Sequence, residues 1–384
     1  MIIGVPKEVM DNEYRVAVVP SGVKALVDAG ARVLVQRGAG EGSALADDLY
    51  AGAGAELTGD ASEVYGRADL VCKVKEPQPS EYGMLRPGLV LFGFLHLAAK
   101  RRLVEELVER GVTAVAYETI EEPGRGLPVL KPMSEVAGRL AVQIGAHYLT
   151  RPRGGRGVLL GGVPGVERGE ITVIGAGTVG VNALRVAAAL GADVTVLDVD
   201  VEKFRRIEEV FGARVKTLVS NAYNIERAVR GCDLLIGAVH RAGARTPVLV
   251  KRELVSQMRK GAVVVDVAVD QGGCVETIRP TTHSEPVYEE EGVLHYGVAN
   301  IPGAVPRTST FALTNATLPY LLDFAARGAV GALNANPALA SGVNVHDGRV
   351  THRGVADSLR LDFSPFGKKT DRSAGVSSTA QKKP

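Results

Sequence analysis

The sequence predicts an α/β protein made of two doubly wound domains with mostly parallel sheets, the first of them discontinuous. Three observations predict it. Strand-like and helix-like segments alternate from the first residues onward. Most of the strand-like segments are apolar nearly throughout, as parallel strands covered on both faces must be. The alternation pauses once, near residues 134–150, and restarts, so the 384 residues divide into two series, in keeping with ~100–200 residues per domain.

The first series opens with IIGVP (2–6), a helical SGVKALVDAGA (21–31) and ARVLVQ (31–36). It continues through LVCKVK (70–75), LVLFGFL (89–95), an amphipathic AAKRRLVEELVERG (98–111) and VTAVAYETI (112–120). Gly111 is placed to stop that helix. SEVAGRLAVQIGAHYLT (134–150) carries apolar residues at helical spacing, with Ser134 placed to cap its first turn, and reads as a helix joining the two domains. The second series comprises ITVIG (171–175), VTVLD (194–198), VKTLV (215–219), DLLIGAV (233–239), AVVVDVAV (262–269) and LHYGVAN (294–300). After residue 306 comes the helical TSTFALTNATLPYLLDFAARG, then loosely periodic material to about residue 360, expected to return to the first domain. The expected limits are 1–128 with 307–363, and 129–306. The tail at 364–384, SPFGKKTDRSAGVSSTAQKKP, is polar and poor in branched apolar residues, so it is expected to be disordered.

Composition narrows the function. Lysine and arginine (45) exceed aspartate and glutamate (43) by only 2, far from the surplus that phosphate-backbone binding uses, so nucleic acid is not expected as a partner. Cys72, Cys232 and Cys274 include no CxxC, which fits neither a disulfide framework nor a structural zinc site. MIIGVPKEV lacks a signal-peptide pattern and no apolar run reaches ~18 residues, so a cytoplasmic protein without a membrane span is expected.

GAGTVG, Gly175 to Gly180, fits GxGxxG in its required context, strand before and helix after. Gly175 permits the tight turn, Gly177 lets the backbone approach a pyrophosphate, and Gly180 allows close helix-to-strand packing, while the free amides at the helix start face the phosphates. Asp198 ends the next strand, 23 residues after Gly175, near the ~20-residue spacing of a ribose-binding acid. The motif makes the second domain Rossmann-like and favours NAD over NADP. Two other glycine clusters say less: GVLLGGVPGV (157–166) lacks the GK[ST] ending of a P-loop, and RPRGGRG (151–157) has no interleaved aromatics for RNA.

Ligands of such folds sit outside the carboxyl ends of the strands. Lys75, His96 and Asp270 follow three strands, and Arg15 lies in the loop after the first. Singly, each has an ordinary reading as a solvated loop end, a half-buried histidine or a turn residue. Together they converge on a cleft between the domains. Two cations sharing that cleft would repel by about 4 kcal/mol at ~4 Å and an effective dielectric of ~20, favouring an anionic ligand.

At these residues the chain resembles the alanine dehydrogenase family, whose near relative is the NAD-binding subunit of proton-translocating transhydrogenase. The resemblance rests on VPKE and NEYRVAVVP (5–20), RGAGEGS, CKVKEP (72–77), LHLA (95–98), AYET, PMSEVAGR (132–139), GGRGVLLGGVPGV, VDVAVDQGGCVETIRPTTH (265–283) and YGVANIPGAVPRTST (296–310). It implies reversible, NAD-dependent oxidative deamination of L-alanine to pyruvate and ammonium by a homohexamer. It implies that Arg15 and Lys75 hold the substrate carboxylate, that His96 and Asp270 are the acid/base pair, and that Met133 and Asn300 wall the cleft. An imidazole, with its ordinary pKa of ~6.5, suits proton transfer near neutrality; the two acid/base roles stay undivided. To the cofactor the resemblance carries Ser134, Thr178, Val179, Asp198, Lys203, Ser220, Val239, Val267, Ala268, Val269, Asp270, Arg279, Val298, Ala299, Asn300 and Ile301. The transhydrogenase subunit is the alternative expectation; retention of Arg15, Lys75, His96 and PMSEVAGR weighs against it.

The chain also departs from the family. AVHRAGARTP stands where members commonly read AVLVPGAKAP, which places His240, Arg241 and Ala242 near the nicotinamide loop. Ile301 stands where methionine is usual, and Gly93 replaces a larger residue close to His96. Some relatives carry a Glu and His pair for a divalent ion; Asp323 and Arg327 occupy those positions, so no metal is expected.

Overall fold

The computed structural model describes residues 1–239 and 246–367. Its first series builds β1 (Ile2–Val5), α1 (Pro20–Asp28), β2 (Arg32–Gln36), α2 (Asp47–Gly52), β3 (Glu56–Thr58), α3 (Ala61–Arg67), β4 (Leu70–Cys72), β5 (Val90–Gly93), α4 (Arg101–Glu109) and β6 (Thr113–Ala116). Helix α5 (Leu130–Tyr148) follows. The second series builds β7 (Glu170–Ile174), α6 (Thr178–Ala189), β8 (Asp193–Asp198), α7 (Val201–Phe211), β9 (Val215–Val219), α8 (Ala222–Gly231), β10 (Leu234–Gly237), α9 (Arg252–Val255), β11 (Val263–Asp266), β12 (Val287–Glu290) and β13 (Val293–Tyr296). The chain closes with α10 (Pro306–Ala335), α11 (Pro337–Ser341), β14 (Val343–His346), β15 (Arg349–Val350) and α12 (Arg353–Leu359).

One sheet runs β15-β14-β6-β5-β4-β1-β2-β3, the other β12-β13-β11-β10-β7-β8-β9. Without their antiparallel edges the two orders are the same: the first strand lies centrally, the second and third on one side and the later strands on the other, all parallel. Alternate residues of each strand enter different cores. Ile3, Val33, Leu70, Val90, Phe92 and Val115 join Leu313, Leu321 and Phe324 of α10 on one face. Val71, Leu91 and Ala114 meet Leu103, Val104 and Leu107 of α4 on the other. Ile171, Val173, Val196 and Ile236 divide in the same way from Leu197, Leu235 and Val264. Burial of both strand faces is what makes each sheet doubly wound, and explains why the strands read as continuous apolar runs.

Two local expectations need correction. Helix α5 begins at Leu130, so Ser134 lies inside it and caps nothing; Val129 precedes the helix with no side-chain cap. Pro132 sits in the first turn, where its missing N–H costs no helical bond, so the helix starts upstream of the proline. The material after residue 336 is more regular than its periodicity suggests. β14 adds antiparallel to β6 and turns back into β15 through Asp347 and Gly348, both at positive φ (50° and 69°), the geometry of a two-residue hairpin turn. Residues 343–350 thereby complete the sheet that the N-terminal strands begin. Helix α10 is broken at Gly328, whose φ of 69° and ψ of 171° are not helical. Among the described residues no helix is long and apolar enough to cross a membrane.

Candidate active site

Each sheet reverses its strand order beside its first strand, between β1 and β4 and between β7 and β10. A crevice opens outside the carboxyl ends of the strands at such reversals. At the second, Gly175 has φ 106° and a Cβ there would lie 2.5 Å from the Ala238 carbonyl oxygen. A Cβ on Gly180 would fall 1.8 Å from the Gly175 oxygen, whereas one on Gly177 meets nothing within 4 Å. The turn is therefore closed at Gly175 and Gly180 and open at Gly177. Thr178 and Val179 begin α6 directly after it, with the first amides of the helix unpaired within it.

Asp198, 8% exposed, ends β8 and is largely engaged within the protein. Its Oδ2 accepts the Ala176 N–H at 2.7 Å, its Oδ1 the Asp200 N–H at 3.0 Å, and the Lys203 ammonium donates to both at 3.0 and 3.1 Å. Burial works to raise this carboxyl, but those amides and the ammonium outweigh it and hold it below the usual carboxylate range. Asp198 thus pins the glycine turn.

At the first reversal stands Arg15, 3% exposed. Glu13 grips it bidentately, its Oε1 accepting from Nε at 2.7 Å and its Oε2 from Nη2 at 2.5 Å. Nη2 also donates to Asn300 Oδ1 at 2.8 Å, and Nη1 lies 3.3 Å from Met133 Sδ. Asn300 Nδ2 donates to Glu13 Oε2 at 2.9 Å, so a residue following β13 of one sheet is bonded to a pair following β1 of the other. The two uncompensated cations expected at this cleft are not found. Arg15 is neutralised by Glu13, only its Nη1 lacks a strong acceptor, and Lys75 lies 4.0 Å from the Glu76 carboxylate.

Lys75 follows β4 by three residues and is 9% exposed. The backbone beneath it is fixed from below: the Val74 N–H donates to Glu8 Oε1 at 2.6 Å. The wholly buried Lys73 ammonium lies 2.8 Å from Glu81 and 3.2 Å from Glu8. Burial pushes the Glu8 carboxyl up, with Lys73 opposing.

His96 follows β5 in the left-handed region, φ 49° and ψ 34°, a conformation a non-glycine residue keeps only when its surroundings enforce it. Glu118 supplies that enforcement by accepting the His96 N–H at 2.6 Å and the Leu95 N–H at 3.3 Å. The ring stacks on Phe94, centroids 6.0 Å apart, and its Nδ1 lies 3.2 Å from Glu76 Oε2. Lys100 reaches Glu76 Oε1 at 3.4 Å. Burial would raise the Glu76 carboxyl, but the bond from His96 and the charges of Lys75 and His96 prevail and bring it down to about 2. Gly93 has a steric role here: a Cβ on it would sit 3.0 Å from the Lys73 oxygen of the neighbouring strand.

Asp270 faces this group from the other sheet. It lies in a short turn, Val269–Gln271, after β11. Its carboxyl is raised above the usual range by desolvation within the cleft, and Lys75, His96 and Lys100 pull it the other way. The turn hangs from Asp266, a fully buried carboxylate that accepts the N–H groups of Ala268, Cys274 and Val275 at 2.9, 2.7 and 3.1 Å. Val267 bonds back to Gly237 at 2.9 Å, tying this turn to the end of β10.

The remaining predicted residues are more scattered. Ser220 donates its N–H to the Asp198 carbonyl at 2.8 Å, and Val239 lies where β10 ends beside Gly175. Val298 pairs with Thr281, Ala299 follows it, and Ile301 is buried just beyond Asn300. Arg279 lies over the Tyr288 ring, 4.0 Å from its centroid, and Ser134 is half-buried on α5. Asp323 and Arg327 pair with each other at 2.7 Å. His240, Arg241 and Ala242, like most of the tail, lie outside the described residues. The acidic partners Glu13, Glu76, Glu118 and Asp266 were missed by the sequence reading. For Glu13, Glu76 and Asp266 a signal was present in NEYR, KVKEP and VVVD, each a carboxylate within two residues of a group it holds or neighbours; Glu118 acts on His96 from 22 residues away and had none.

Comparison with known proteins agrees with this architecture along the chain. Family models described as "Alanine dehydrogenase/PNT, N-terminal domain" and "Alanine dehydrogenase/PNT, C-terminal domain" match residues 4–137 and 141–353. Alanine dehydrogenase of Bacillus subtilis (strain 168) is 55% identical over 369 residues, 96% of this chain and 97% of that protein. A solved structure of L-alanine dehydrogenase superposes with a TM-score of 0.91 at 52% identity, covering 94% of this chain and 99% of the other. A transhydrogenase structure from Sinorhizobium meliloti does so with a TM-score of 0.78 at 27% identity, covering 92% and 99%.

Proposed function

This chain belongs to the alanine dehydrogenase/PNT family, and from that premise we propose how its cleft works: it is an L-alanine dehydrogenase that catalyses the reversible, NAD-dependent oxidative deamination of L-alanine to pyruvate and ammonium. The observation that carries the reading is the cleft itself, where Arg15, Lys75 and His96 follow strands of one sheet and Asp270 and Asn300 turns of the other. A transhydrogenase subunit needs no such amino-acid niche. On the same resemblance the assembly is a homohexamer in the cytoplasm. The domain limits that go with it are 1–128 with 307–363, and 129–306.

The residues present fit the dinucleotide. The open side of the turn at Gly177, the amides opening α6, and Asp198 with Lys203 at the end of β8 are where its diphosphate and ribose would be held. When bound, the nicotinamide accepts the hydride of the alanine Cα. The chain supplies the rest. Lys75 and Nη1 of Arg15 hold the carboxylate, and Glu13 and Asn300 stop the guanidinium from turning. The alanine ammonium first gives one proton to solvent, and loss of hydride from the resulting amine leaves an iminium that water attacks; His96 takes one proton of that water, and Asp270 balances the iminium charge. His96 then returns its proton to the carbinolamine nitrogen; as the C–N bond breaks, the hydroxyl gives up its proton to form the carbonyl of pyruvate, and the departing ammonia takes up that proton as ammonium.

The test follows NADH absorbance with L-alanine and NAD at alkaline pH. Turnover is expected in the wild type, and Lys75→Ala and His96→Ala should each abolish it while leaving NADH binding intact. Undiminished turnover in the double variant would overturn the assignment.

A further inference from the structure

Glu76 touches no substrate group in this mechanism, yet the His96 end of the cleft converges on it. The residue is 4% exposed, and its carboxylate has three side-chain nitrogen atoms within 4.0 Å: His96 Nδ1, Lys75 Nζ and Lys100 Nζ. We propose that Glu76 is the positioning residue of His96: it accepts the Nδ1 proton, fixes the plane of the ring, and leaves Nε2 as the atom that exchanges protons with the substrate. The inference rests on the alanine dehydrogenase reading and divides the acid/base work that the sequence leaves undivided.

The argument is one of donors and acceptors. An ionised carboxylate only accepts, so an imidazole nitrogen 3.2 Å from it must be the N–H of the neutral ring, and the lone pair then lies on Nε2. Glu76 is ionised across the working range, its carboxyl lying at about 2. Among the described residues Nε2 carries no hydrogen bond. The two carboxylate oxygens are divided between tasks: Oε1 faces Lys100 at 3.4 Å, while Oε2 faces His96 and Lys75. Glu118 holds the backbone of the same histidine through its N–H, so one carboxylate sets the main chain and another the ring. Once His96 has taken a proton, the Glu76 carboxylate at 3.2 Å and, across the cleft, Asp270 face the imidazolium, with Lys75 and Lys100 set on the same Glu76 carboxylate. This arrangement matches the generic logic of a nucleophile's base oriented by a buried acid, applied here to a base that acts on water.

Two measurements test it. In protein labelled with ¹⁵N-histidine, long-range ¹H–¹⁵N correlation above the histidine titration range reports the His96 tautomer, assigned by the signal missing from His96→Gln. The Nδ1–H form is expected; an Nε2–H form overturns the proposal. In the second, kcat and KM for L-alanine are measured in Glu76→Gln, with Glu76→Asp beside it and thermal melts as the folding control. In Glu76→Gln kcat should fall about tenfold or more while KM for L-alanine does not rise. Glu76→Asp keeps an ionised acceptor for the Nδ1 proton and should recover most of that loss. An unchanged kcat in Glu76→Gln overturns the proposal. If the wild type fails to oxidise L-alanine, the proposed function fails, and the tautomer still decides whether Glu76 sets the ring.

Discussion

Glu13 gives the most quantitative test of how the cleft is built. Its carboxylate and the Arg15 guanidinium are 0% and 2% exposed at their side chains. In Glu13→Ala the guanidinium would keep Asn300 Oδ1 and the weak acceptor Met133 Sδ, but no counter-charge. Two unit charges ~4 Å apart at an effective dielectric of ~20 attract by about 4 kcal/mol, and removing one partner of a buried pair typically costs about 3–5 kcal/mol. Equilibrium urea unfolding at pH 7, followed by far-UV circular dichroism, should show a loss of that size. A carboxylate ligand can stand in for the missing side chain, so pyruvate should raise the melting temperature of the variant more than that of the wild type. The pH dependence has a definite sign. Burial opposes ionisation of Glu13, but the bonds from Arg15 and Asn300 outweigh it and hold the carboxyl below its usual range. The stabilisation is therefore fully present above the unfolded glutamate pKa of ~4.3 and lost as pH falls through the lower folded value. The gap between wild type and variant should close only in that acid window. A variant as stable as the wild type at pH 7, or a gap that closes between pH 5 and 7, would refute the assignment of Glu13 as the counter-ion of Arg15.

Three further variants probe the glycine turn. Gly180→Ala drives a methyl to 1.8 Å from the Gly175 carbonyl oxygen, a backbone atom that cannot yield without opening the turn. NADH binding, read by fluorescence titration, should be lost and stability reduced by about 1–3 kcal/mol; Gly177→Ala, which meets nothing within 4 Å, should fold with wild-type stability. Asp198→Ala removes the acceptor of the Ala176 amide and frees the Lys203 ammonium, so NADH should bind about tenfold more weakly and discrimination against NADP should relax. An unchanged cofactor preference would show that another residue reads the ribose.

The alternation of strands and helices, the glycine turn and the polar residues at the strand ends were legible because each is local. Period, spacing and position relative to a strand suffice to find Gly175, Asp198, Lys75, His96 and Asp270. What the sequence concealed is mostly non-local. Glu118 and His96 are separated by 22 residues, and Arg15 and Asn300 by 285, so no window contains both partners. The start of α5 was missed because a serine in a capping context outweighed a proline that belongs in a first turn. The edge hairpin was readable after all: Asp347 and Gly348 between VNVH and RV form an Asp-Gly turn signal, masked by a second strand of only two residues.

Helix α5 carries a consequence for how such a chain can diverge. Met133 near its start touches Arg15, and Gly138, five positions on, lies against α6 so closely that a Cβ would come within 2.1 Å of the Val179 oxygen. At ~1.5 Å of rise per residue the two contacts stand about 7.5 Å apart along the axis. The stretch between them acts as a ruler joining the guanidinium to the start of α6. Adding or dropping a single residue there would swing one contact by ~100° relative to the other, so insertions can accumulate in surface loops of either half while this interval keeps its length.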